Sequence, residues 1–208
     1  MQEKSVISPS SYQKGTIFSE DLLGEKPSFR PCIVALVGLP LTGKSTLGYY
    51  LGKFSNLVFL DSDDVRTQIF ERTTPRLPPD QEMFAKLVSY QKTHEIAMEH
   101  IQRQEPVAIE GTYSRKIYHE MLKRLARKAK VPLRVFLLES TDETIRRRLM
   151  IRNNENTNRS NLATVDDLQE IKARYEPLTD IWMITINSNQ PMKVKIATIF
   201  KYLNDLLQ

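Results

Sequence analysis

Short apolar runs alternate along the chain with longer stretches in which apolar residues recur every three or four positions. Ile33-Val34-Ala35-Leu36-Val37 is uninterrupted, β-branched and closed by Gly38, the pattern of a strand buried on both faces. Leu57 to Leu60, ending at Asp61, then Val107 to Ile109, Leu133 to Leu138 and Trp182 to Ile186 predict four more strands. Between them, helices are expected over Ser45–Phe54, Val65–Arg72, Asp80–Gln104, Ser114–Lys130, Thr141–Arg152 and Val165–Tyr175, with Val194–Leu207 closing the chain. In the long helix, Phe84, Leu87, Val88, Ala97, Met98 and Ile101 fall on one face and are expected in the core. His94 sits on that same side and reads as a core or pocket-edge histidine. Trp182 and one of Tyr49 and Tyr50 are expected to pack, and Cys32 is expected to be structural. The segment Thr73–Pro79 holds three prolines and predicts a loop, and residues 153–163 are asparagine-rich with almost nothing apolar. Strands alternating with helices predict an α/β fold on a parallel sheet.

Composition narrows the class. The chain has 208 residues, 40% apolar and 26% charged, enough for one domain with a substantial core. Residues 1–30 show no sustained period and are expected to form an extension ahead of a domain spanning 31–208. No run approaches 20 uninterrupted apolar residues, so no transmembrane helix is expected. The polar first fifteen residues predict no secretory signal. One cysteine and three histidines exclude an internal disulfide or a cysteine-rich zinc site, and a cytoplasmic setting is expected. A net charge of +5 favours anionic partners mildly. The basic run Lys123–Lys130 reads first as the solvated face of a helix, as do Arg146 and Arg147.

The first strand runs directly into Gly38-Leu39-Pro40-Leu41-Thr42-Gly43-Lys44-Ser45 and then into helix. This is G-x-x-x-x-G-K-[ST] in its confirming context of strand, loop and helix. Glycines let such a loop curl so that its N–H groups converge on phosphate oxygens, and the following helix adds its positive end. Gly38, Leu41, Thr42, Gly43, Lys44, Ser45 and Thr46 are therefore the nucleotide-binding candidates. Lys44 would meet the β- and γ-phosphates, and the Ser45 hydroxyl would ligate Mg²⁺. No guanine-reading Asn-Lys-x-Asp segment and no transporter-type Leu-Ser-Gly-Gly signature accompanies the loop.

Parallel strands bring their C-terminal ends to the edge that carries this loop. Asp61-Ser62-Asp63-Asp64-Val65-Arg66 therefore belongs beside the γ-phosphate, where a carboxylate can take a proton from an attacking hydroxyl and an arginine can clamp an anion. Asp61, Ser62 and Asp63 are equally good N-caps for the next helix. Glu110 ends the third strand and is a candidate for holding Mg²⁺; a solvent-facing carboxylate is the plainer reading. Arg115 beyond it is a weaker anion-binding candidate. Arg148 and Arg152 share a helix face. With Arg159, they flank a polar stretch suited to a lid over about 152–163, unless it is a plain surface loop.

Taken together, the loop Gly38–Ser45, the segment Leu60–Arg66, the segment Ala108–Thr112 and the pair Arg148 and Arg152 resemble the P-loop kinases related to polynucleotide 5′-kinase and zeta toxin. The resemblance spans about residues 31–187. It implies a three-layer α/β/α fold around a five-stranded parallel sheet of order 2-3-1-4-5 with a small lid. It also implies Asp63 as general base, Arg66 as acceptor clamp, Glu110 in the place of a strand-end carboxylate, and Arg148 and Arg152 on ATP phosphates. Two departures stand out: Glu-Gly-Thr where Asp-Ala/Thr-Thr/Asn is common, and Pro40-Leu41-Thr42 where Pro-Gly-Ser is usual.

The expected function is an ATP- and Mg²⁺-dependent kinase acting on a hydroxyl acceptor, either a small molecule or a nucleic acid 5′-hydroxyl. The alternative is a nucleotide-binding regulatory or nucleic-acid-binding module with little transfer activity. No motif names the acceptor or sets the oligomeric state.

Overall fold

The computed structural model describes residues 26–70, 79–154, 164–179 and 181–204. The strands are β1 (Ile33–Val37), β2 (Val58–Asp61), β3 (Val107–Gly111), β4 (Leu133–Glu139) and β5 (Met183–Asn187). They form one sheet of order β2-β3-β1-β4-β5 with every pairing parallel. The helices are α1 (Lys44–Phe54), α2 (Ser62–Phe70), α3 (Pro79–Gln102), α4 (Lys116–Ala129), α5 (Asp142–Asn154), α6 (Val165–Ala173) and α7 (Met192–Asn204).

The alternation of side chains along β1 divides the core in two. Val34 and Leu36 face Leu47, Leu51, Ile196, Ile199 and Leu203 of α1 and α7. Ile33, Ala35 and Val37 face Tyr90, Ala97, Ile101, Leu122 and Leu125 of α3 and α4. All five β1 residues are wholly buried, which explains why this strand reads as a continuous apolar run. A third cluster, Ile145, Leu149 and Leu168, joins α5 to α6 and receives Leu41 from the loop after β1. Phe29, placed by sequence in the extension, is buried against Phe200 at 5.2 Å between ring centroids, and its backbone exchanges hydrogen bonds of 2.8 and 3.0 Å with the Asn56 side chain.

Several expectations need correction. Helix α2 starts at Ser62 rather than Val65, because the Asp61 carboxylate accepts from the Asp63 and Asp64 N–H groups and caps it. Phe84, expected in the core, is 62% exposed. Helix α3 has 24 residues and is about 36 Å long, roughly twice the span of a five-residue strand, so its first turns run past the sheet edge. Its buried residues are Ala85, Ser89, Tyr90, Thr93, His94, Ala97 and Ile101. Trp182 does not pack inside either and is 58% exposed. The Thr73–Pro78 part of the predicted loop, most of the lid at 155–163 with Arg159, and residues 1–25 lie outside the described residues. Among the described residues, no helix is long and apolar enough to cross a membrane.

Candidate active site

Gly38 leaves β1 at φ 145°, where a Cβ would sit 2.4 Å from the Leu138 carbonyl oxygen, so the turn requires glycine. Gly43, at φ 87°, turns the chain into α1. Between them Leu41 adopts φ 65°, a left-handed conformation that costs a non-glycine residue about 1–2 kcal/mol. Its side chain packs on the α5–α6 cluster, which offsets that strain. Thr42 is buried and its hydroxyl donates to the Leu39 carbonyl at 2.9 Å. The Lys44 ammonium, drawn over the loop, donates to the same carbonyl at 3.0 Å.

A buried buttress holds this loop from behind. Arg148 Nη1 donates to the Leu41 carbonyl at 2.8 Å and to Ser188 Oγ at 2.7 Å. Ser188 Oγ in turn donates to the Thr42 carbonyl at 2.6 Å. The Ser188 carbonyl accepts from Arg148 Nη2 at 3.4 Å and from the buried Lys195 Nζ at 3.1 Å. Its N–H donates to the Glu139 carbonyl at 2.7 Å. Arg148 thus stands against the loop, and Arg152 lies one turn further along α5. Sequence reading missed Ser188 and Lys195. Ser188 follows β5 at the sheet edge that carries the loop, and that position was the available signal.

The ends of β2 and β3 bring Asp61, Asp63 and Glu110 together, each offering a carboxylate oxygen within 4.8 Å of the others. The register pairs Asp61 directly with Glu110 across the two strands. Glu110 is buried, and its Oε2 has no hydrogen-bond partner among the described residues. Burial raises its pKa well above the usual carboxylate range, and the neighbouring Asp61 charge adds to this. Burial likewise raises Asp63, Asp61 pushes in the same direction, and Lys86, Lys44 and Arg66 pull it back down. Three converging hard oxygen donors, one of them orphaned, fit a divalent cation such as Mg²⁺. Among the sequence candidates for that ion, Glu110 joins this group; Ser45 lies at the start of α1.

On the other side of Asp63 the site is cationic. Lys86, on the overhanging turns of α3, is partly buried with Glu82 at 3.8 Å. Burial lowers its pKa, while Glu82 and Asp63 favour its charge and Arg66 and Arg115 oppose it. Lys86 is invisible to motif reading, since only the packing of α3 on α2 brings it to Asp63. Behind Glu110, Tyr90 and Tyr113 stack at 4.4 Å and His94 bonds the Tyr113 hydroxyl at 3.1 Å. Burial lowers the His94 pKa to about 4, so the ring is neutral, in keeping with a core histidine.

Residues 33–178 match a family model described as an AAA domain. No curated protein matches the chain significantly. Among solved structures, a provisionally assigned kinase from Chloroflexus aurantiacus J-10-fl is similar, at 16% identity over 85% of this chain and 98% of that one, with a TM-score of 0.69. The Mycobacterium tuberculosis APS kinase CysC, in complex with AMPPNP and APS, is 12% identical over 84% and 98%, with a TM-score of 0.62. Chaetomium thermophilum Kti12, in complex with ADP-AlF3, is 15% identical over 81% and 97%, with a TM-score of 0.54. These likenesses show the P-loop α/β fold, in agreement with the sheet order that the family resemblance implied.

Proposed function

The chain belongs to this AAA-domain family, and from that premise we propose that it is an ATP- and Mg²⁺-dependent kinase transferring the γ-phosphate to a hydroxyl acceptor. The observation that carries the reading is the juxtaposition, at one sheet edge, of a phosphate-binding loop and a carboxylate group ringed by cations. The APS kinase and Kti12 structures, each holding a nucleotide or its analogue, support nucleotide binding by the same fold.

In this mechanism the loop N–H groups of Gly38 to Ser45 and the Lys44 ammonium receive the β- and γ-phosphates. Lys44 leaves the Leu39 carbonyl to do so. Thr46 and the start of α1 extend the cradle. Ser45 and Glu110, with Asp61 beside it, would hold Mg²⁺, which supplies charge neutralisation on the phosphate oxygens. Asp63 accepts the proton of the acceptor hydroxyl as its oxygen bonds to the γ-phosphorus and the bond to the β,γ-bridging oxygen breaks, releasing ADP. Arg66 clamps the acceptor, Arg152 neutralises charge on the transferring group, and Arg148 holds the loop that cradles the phosphates. The acceptor, a small molecule or a nucleic acid 5′-hydroxyl, meets Asp63 from the side lined by Lys86 and Arg66.

Transfer of labelled γ-phosphate to a panel of 5′-hydroxyl DNA and RNA, nucleosides, sugars and amino-sugars tests this reading. A product that disappears with Asp63→Ala supports it. A second reading is a nucleotide-binding regulatory or nucleic-acid-binding module, for which the Kti12 likeness supports nucleotide binding alone. Strong Mg·ATP binding with no transfer to any acceptor class would support that module instead.

A further inference from the structure

Trp182 is the only tryptophan in the chain and stands in the open. It is 58% exposed although the residue type is usually well covered. Trp182 immediately precedes β5, and Leu133 opens β4, so both lie at the sheet edge opposite the phosphate loop. There a cavity of about 400 Å³ is lined by Lys123, Arg127, Arg134 and Trp182 over an apolar floor that includes Leu133 and Ile181. The Arg134 guanidinium lies 5.4 Å from the Trp182 ring centroid, and Tyr202 meets the ring edge-on at 6.0 Å. The indole is therefore held in place while more than half of the residue faces water.

The surroundings of this platform are positive. Lys123 is partly neutralised by Glu120 at 2.7 Å, but among the described residues no acidic side chain lines the cavity. Arg124, Lys128 and Lys130 are exposed along the same end of α4, so the cationic surface continues beyond the cavity. Tyr118 of the basic helix is buried, and the fold sets an exposed aromatic beside that helix from the residue that precedes β5. A fixed indole with cations on either side is the combination that holds stacked bases by their faces and phosphates by their charge. An extended polyanion uses the whole stripe, whereas a single nucleotide would engage only the cavity.

We infer that the α4–Trp182 face is a docking surface for single-stranded nucleic acid, separate from the nucleotide loop. The test uses the full chain with a fluorescein-labelled deoxythymidine oligomer of about 15 nucleotides, followed by anisotropy and by the intrinsic emission of Trp182. Binding should quench that emission, and log affinity should fall with log salt by about 0.7 per neutralised phosphate between roughly 50 and 200 mM. Trp182→Ala should weaken binding roughly five- to hundredfold, as expected for loss of one stacked base. Arg127→Glu, an exposed position, should weaken it at least about tenfold, with thermal midpoints of both variants near that of the parent.

Saturating Mg·ATP should leave the oligomer bound. Absence of binding, or binding indifferent to both substitutions, would overturn the inference. Displacement by Mg·ATP would also overturn it, by placing the strand at the loop edge. Equal affinity for heparin would do so by reducing the surface to charge alone, and equal affinity for thymidine monophosphate by making the cavity a mononucleotide site.

Discussion

Asp61, Asp63 and Glu110 are chemically similar carboxylates in one corner of the sheet, and their surroundings give them different tasks. Asp61 spends an oxygen on the N–H groups that open α2. Asp63, in the first turn of that helix, faces the cations of α2 and α3. Glu110 is sealed behind them with an orphaned oxygen. The sequence offered Asp61, Ser62 and Asp63 as caps and a carboxylate of the same segment as base; Asp61 is the cap, and Asp63 faces Lys86 and Arg66. Raised carboxylate pKa values mean that the native state binds more protons than the unfolded chain, so stability falls as pH rises. Without Mg²⁺, urea unfolding should therefore show Glu110→Gln gaining on the parent protein from about pH 5 to pH 8. His94, held neutral by burial, gives an opposite slope at the acid end, but one common to both proteins, so the difference between them is the readout. Saturating Mg²⁺ should remove that difference. A parallel pH profile for the two proteins would mean that Glu110 is ionised in the folded protein.

At the scale of elements, the apolar runs of β1 and β3 located the sheet because each is buried on both faces and carries no competing pattern. The first turns of α3 were less legible. Periodicity cannot tell that a helix outruns the strands it covers, and Phe84 and Lys86 both lie on the overhang. The buttress behind the phosphate loop was equally hidden, since it joins Thr42, Arg148 and Ser188 from three distant segments. Ser188→Ala leaves the buried Thr42 carbonyl without that donor and should cost about 1–3 kcal/mol, with several-fold weaker Mg·ATP binding. Calorimetry reads both quantities, and an unchanged nucleotide affinity would separate the buttress from the loop. Packing between α1 and β2 is tight as well. A Cβ on Gly48 would come within 2.0 Å of the Phe59 ring, so Gly48→Ala should destabilise the fold by about 1–3 kcal/mol in chemical denaturation.

Across the whole molecule, the phosphate loop, the carboxylates and the Arg148 buttress share one edge of the sheet, and Trp182 with the basic end of α4 occupies the other. The first edge could be read from sequence because strand ends in a parallel sheet converge, so each strand-terminal motif is already placed. The second could not, because a basic helix and a lone tryptophan acquire meaning only when the fold sets them side by side. The central claim is that Asp63 serves phosphoryl transfer and not nucleotide binding. It is tested most directly by measuring Mg·ATP affinity and γ-phosphate transfer on the same preparation of Asp63→Asn. The account predicts a nucleotide affinity within a few-fold of the parent and transfer reduced at least about a hundredfold, the usual scale for losing a general base. Parental transfer rates in Asp63→Asn would contradict it.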